Sequence, residues 1–80
     1  MGTLFRIDGR VRLKIKRKAL LSLIPLDRCT GVTTTGLKHS LKNSVLELGV
    51  REGTSNVATA SFVTISVRRG TLLCFTFHRQ

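Results

Sequence analysis

Between Thr3 and Lys16, apolar and basic side chains alternate around Asp8-Gly9. No other feature of the 80-residue chain constrains the fold as much. A period of two places Phe5, Ile7, Val11, Leu13 and Ile15 on one side of an extended backbone and Arg6, Arg12 and Lys14 on the other. Asp-Gly between alternating segments is the strongest short signal for a β-hairpin. A two-residue turn at Asp8-Gly9 mixes the faces by pairing Phe5 with Arg12. A three-residue connection, Asp8 to Arg10, instead sets Phe5 opposite Leu13 and Ile7 opposite Val11. That register predicts a ribbon over residues 1–18 with one apolar and one cationic face, and Arg10, Lys16, Arg17 and Lys18 extend the charge at its turn and exit.

The apolar run that follows, residues 16–24, is expected to continue as a short helix stopped by Pro25. Residues 27–36 read as a loop with an extended segment at Val32 to Thr35. Leu37, Leu41, Val45 and Leu48 are spaced four, four and three apart, which predicts an amphipathic helix over 37–48 with Lys38, Lys42 and Asn43 outward and Gly49 capping its end. A turn follows at 50–56. Residues 57–78 then alternate as a hairpin turning at Arg69-Gly70, with Val67 opposite Leu72, Ile65 opposite Cys74 and Phe62 opposite Phe77. Both faces of that hairpin are apolar, which implies an interior position. The expected fold is a single α+β domain over 1–80, in the order β-β-α-β-β: two hairpins packed with one amphipathic helix. A chain this short sits near the lower limit for a self-sufficient core, which favours a homodimer.

Fourteen Lys and Arg against four Asp and Glu give a net charge of +10. Such an imbalance attracts polyanions. Arg6, Arg10, Arg12, Lys14, Lys16, Arg17 and Lys18 are therefore the candidate nucleic-acid-binding residues, since cations on every second strand residue lie about 6.6 Å apart and match successive phosphates. The expected function is a DNA-binding regulator, with DNA favoured over RNA. An RNA-associated ribosomal or viral accessory protein is the first alternative. A membrane-surface or host-factor module, using the basic-then-apolar segment, is the second. Residues 19–26 are far too short to span a bilayer, no secretory signal is present, and two cysteines make no disulfide framework, so an intracellular location is expected.

Cys29, His39, Cys74 and His78 lack the paired spacing of a zinc site, and Cys74 is expected to be a core thiol facing Ile65. Asp8, Asp27, Glu47 and Glu52 show no spacing that asks for acid–base chemistry. No metal, no cofactor and no enzymatic activity are expected. Phe5, Phe62, Phe75 and Phe77 are read as core rather than as base-stacking platforms.

The stretch from Leu41 to Cys74, through Leu48, Gly49, Glu52, Gly53, Val63, Ile65, Val67, Gly70 and Leu72, resembles the second half of AbrB/MazE-type swapped-hairpin DNA-binding domains. There a short helix ends in leucine-glycine, an acidic-glycine turn follows, and a hairpin closes the unit. The resemblance implies an intertwined homodimer that regulates transcription, often as an antitoxin. No binding residue is carried over from it.

Overall fold

A computed structural model describes residues 2–49 and 53–77. Its elements are β1 (Gly2–Ile7), β2 (Arg10–Lys14), β3 (Leu20–Pro25), β4 (Cys29–Thr35), β5 (Ser44–Leu46), β6 (Gly53–Val57), β7 (Phe62–Ser66) and β8 (Leu72–Phe77), with no helix among the described residues. They form two four-stranded antiparallel sheets, ordered β1-β8-β3-β6 and β2-β7-β4-β5. Leu21, Leu23, Leu72 and Cys74 of the first sheet and Val32, Leu46, Val63 and Ile65 of the second form one buried cluster. The architecture is a β-sandwich whose two inward faces share this core.

The α+β expectation, with its β-β-α-β-β order, fails first at Asp8-Gly9. β1 does not pair with β2: Phe5 lies opposite Cys74 on β8, and Leu13 lies opposite Val63 on β7. Gly9 has φ +88°, its carbonyl accepts a hydrogen bond from Val67 N at 2.8 Å, and Asp8 Oδ1 accepts one from the Thr71 hydroxyl at 2.8 Å. The dipeptide is thus a corner between sheets. Alternation fixes which face of a strand is apolar, but two strands satisfy it equally well side by side or facing one another across a core. The C-terminal hairpin fails for the same reason. β7 and β8 are interior strands of different sheets, and Ile65 pairs with Val11 and Thr34, not with Cys74. Among the described strands, only β4 and β5 are both neighbours in sequence and paired.

Neither expected helix forms. Over β3, Leu21, Leu23 and Pro25 point inward while Leu20, Ser22 and Ile24 point outward, a period of two within an apolar run. Residues 29–35, expected to be mostly loop, are all strand. Across 37–48 the residue that packs deepest is Leu46, fully buried and off the helical stripe, whereas Val45 and Leu48 are exposed. Three of the four phenylalanines expected in the core, Phe62, Phe75 and Phe77, lie on outer faces, and Phe5 is half-buried. Glu52 and His78 lie outside the described residues.

The two edges of the sandwich differ. At one, β1 and β2 leave an apolar groove of about 440 Å³ lined by Phe5, Val11, Leu13 and Ile15. At the other, the segment after β4 crosses from β5 to β6 and closes the gap. Leu37 bridges to Ala58, and Lys38 N donates to Val57 O at 2.8 Å.

Candidate functional site

The seven cations named above do not share a surface. Arg6 lies on the outer face of the β1 sheet, ion-paired to Asp8 at 2.9 Å. Arg10, Arg12 and Lys14 project from the outer face of the other sheet, with the Arg12 guanidinium 4.2 Å above the Phe62 ring. Lys16, Arg17 and Lys18 are exposed in the turn before β3, and Lys18 has φ +73°. Because β1 and β2 belong to opposite sheets, the single cationic ribbon is split across the molecule.

A different region is built with more care. The segment Gly36 to Asn43 replaces the expected helix, and its backbone groups are claimed one by one by side chains. His39 N donates to Asn56 Oδ1 at 3.0 Å, and Asn56 Nδ2 donates to His39 O at 2.8 Å. Asn56 is buried, so its amide is committed to holding the backbone of an exposed residue. Leu41 N donates to Thr34 Oγ1 at 2.8 Å, and Asn43 N donates to Thr33 Oγ1 at 3.1 Å. The Ser40 hydroxyl donates to Leu37 O at 2.9 Å. Gly36 starts the segment at φ +82°, where any Cβ would strike the Phe62 carbonyl oxygen. Ser, Thr and Asn side chains that bond nearby amides offer the backbone an alternative to helix, and here that alternative wins. This density between 33 and 44 was the available signal. Asn56 itself is recognisable only once the sheets are assembled.

The loop displays Lys38, His39, Lys42 and Asn43 to solvent. Beside Asn43, across the outer face of its sheet, runs an open groove of about 500 Å³ lined by Gly31, Thr33, Lys42, Asn43, Ser66, Val67 and Arg68. Neighbouring rows of that face carry more hydroxyls, including a hydrogen-bonded Thr35–Thr64 pair.

The cysteines play no part at this surface. Cys29 and Cys74 are buried free thiols. Burial, then the Asp27 carboxylate, pushes the Cys29 thiol up, and burial alone pushes Cys74 up to about 12. No group of three His, Cys, Asp or Glu side chains gathers to hold a metal ion among the described residues, and no described helix is long and apolar enough to cross a membrane.

Residues 10–72 match the family model described as thiamin pyrophosphokinase, vitamin B1 binding domain. The fold is that of thiamin pyrophosphokinase structures from Bacillus subtilis and Geobacillus thermodenitrificans. Each has a TM-score of 0.86 at 23% identity, over 99% of this chain and 38% of theirs. Thiamin pyrophosphokinase from Candida albicans aligns with a TM-score of 0.83 at 14% identity, over 95% of this chain and 30% of its own. The chain therefore spans between 30% and 38% of the length of these enzymes. No curated protein is significantly similar in sequence. These findings overturn the swapped-hairpin resemblance and what came with it. β7 and β8, which the resemblance expected to pair as the closing hairpin, lie in different sheets. The nucleic-acid-binding regulator, its DNA and RNA partners, the membrane-surface module and the assignment as a non-enzyme give way to an enzyme family of thiamin metabolism. With the family model matching most of its length, the chain belongs to the thiamin pyrophosphokinase vitamin B1 binding domain family.

Proposed function

We propose that this chain is the thiamin-holding part of a thiamin pyrophosphokinase, and that it presents the vitamin on the Gly36–Asn43 loop. The enzyme name describes transfer of a diphosphate from a nucleoside triphosphate to the hydroxyl of thiamin. The terminal diphosphate leaves the nucleotide, the vitamin oxygen takes it, and the hydroxyl proton is lost. Such transfer is governed by positioning and by cations near the phosphates. The described residues supply no carboxylate cluster for a divalent ion, and the relatives contain a larger part that this chain does not span.

The observation that carries the reading is the Asn56 clamp on His39. A buried amide that holds both the N–H and the C=O of one exposed residue fixes that residue's backbone and the direction in which its side chain leaves the loop, and a binding surface needs such preorganisation. The imidazole offers a flat face and two nitrogens to a planar aminopyrimidine. Lys38 and Asn43, exposed on the same loop, have their amides held by Val57 O and Thr33 Oγ1. Titrating thiamin into the chain tests this. His39→Ala should weaken binding about fivefold with the melting temperature unchanged, a loss of the size expected for one stacked aromatic contact. Equal affinity of wild type and His39→Ala would contradict the reading.

A further inference from the structure

We propose that the groove beside the loop is a diphosphate-binding site, with Lys42 and Arg68 as its charge and the Thr33 and Ser66 hydroxyls as its neutral donors. The proposal rests on the thiamin reading for the identity of the ligand but not for the existence of the site.

Among the described residues, neither of the two cations that line the groove has an acidic partner. Among the described residues the one ion pair is Arg6 with Asp8. Asp8 and Asp27 are occupied elsewhere, accepting hydrogen bonds from the Thr71 hydroxyl and the Thr71 N–H, both at 2.8 Å. Glu47 does not line the groove.

The backbone positions of the two cations are also fixed. Lys42 stands between Leu41 and Asn43, whose amides are held by Thr34 and Thr33. The Ser44 hydroxyl donates to Lys42 O at 3.3 Å. Arg68 N donates to Thr30 O at 3.0 Å, and Gly31 lies so close beneath that a Cβ there would come 2.6 Å from the Arg68 Cβ. Gly31 has φ +64°, so both its conformation and its neighbour demand glycine. Thr33 Oγ1 accepts from Asn43 N, which leaves its own hydrogen to donate into the groove. The Ser66 hydroxyl and the Asn43 side-chain amide add further donors to the lining.

Donors and uncompensated cations on one concave surface select an anion with many oxygens. At about 500 Å³ the groove exceeds a single phosphate and suits a diphosphate ester. Thiazolium is itself a cation, so Lys42 and Arg68 would disfavour thiamin alone in the groove and favour a ligand that carries the diphosphate. The diphosphate could come from the vitamin product or from the nucleotide.

Inorganic diphosphate, thiamin diphosphate, ADP and thiamin, each titrated into the ¹⁵N-labelled chain at physiological salt, separate these cases. The amides of Thr33, Lys42, Ser66 and Arg68 should move with inorganic diphosphate. Lys42→Glu/Arg68→Glu should lower its affinity at least about tenfold, since each charge-assisted contact is worth about that much. The charge-matched control Arg12→Glu/Lys14→Glu should stay within about twofold, and Lys42→Gln/Arg68→Gln repeats the test with a milder change. Tighter binding of thiamin diphosphate than ADP at these amides assigns the site to the product, and the reverse order assigns it to the nucleotide. An equal loss in the control pair, or shifts centred on Arg10 to Lys14, would show general attraction to a basic protein and overturn the site. If thiamin leaves His39 unmoved while diphosphate still binds, the thiamin reading falls and the groove stands. If thiamin binds and diphosphate does not, the groove alone falls.

Discussion

The two edges of the sandwich solve opposite problems. At the β1/β2 edge, alternating residues turn apolar side chains to a shallow groove and cations to solvent, and two strands keep unpaired backbone at the margin. Lys and Arg on such a margin guard against edge-to-edge pairing and need no ligand to explain them. At the β5/β6 edge the chain covers the gap with a loop whose amides are individually bonded by Asn56, Thr33 and Thr34. High charge density marks the first edge, and preorganisation marks the second. For a small ligand, preorganisation is the better guide to function.

The contrast makes the closed edge sensitive to single substitutions and the open edge tolerant. Gly36→Val should have the largest effect. A positive φ and a collision with the Phe62 carbonyl together cost about 3 kcal/mol, read as a lower urea midpoint. Asn56→Ala comes next, at about 2 to 3 kcal/mol, because it strands His39 N, His39 O and Val57 N. Amide exchange should accelerate most between residues 37 and 41, and uniform acceleration across the sandwich would deny the local clamp.

Much of the architecture was legible residue by residue, but its pairing was not. The alternation from Phe5 to Ile15 identifies extended backbone and its apolar face correctly. It says nothing about whether the neighbouring strand lies beside it or across the core, and a corner at Asp8-Gly9 looks like a turn until Thr71 and Val67 are in place. Leu37, Leu41, Val45 and Leu48 have helical spacing by coincidence, and threonine and asparagine side chains decide otherwise. The candidate site was hidden for a related reason. Lys42 and Arg68 lie 26 positions apart in sequence and meet only through the β4–β7 pairing, whereas the seven N-terminal cations are crowded in sequence and scattered in space.

A pH effect should separate core from surface. Cys74 is neutral in the fold, and its pKa, raised from 9.0 to about 12, means that its contribution is complete below about pH 9 and is lost as pH climbs toward about 12. Between about pH 9 and about 10.5 wild type should lose about 2 kcal/mol more stability than Cys74→Ala, measured by denaturant midpoints. Parallel curves would show that the thiol is not desolvated. At the open edge the effects should be smallest. Arg6→Ala breaks only an exposed ion pair, and Lys14→Ala removes only an exposed cation, so each should change stability by about 0.5 kcal/mol or less.

The most direct test is the map of backbone amide shifts when thiamin is added to the labelled chain. The account predicts shifts concentrated at Lys38, His39 and Asn43, with Arg6 to Lys18 unmoved. Shifts centred on Arg6 to Lys18, with the loop silent, would contradict it.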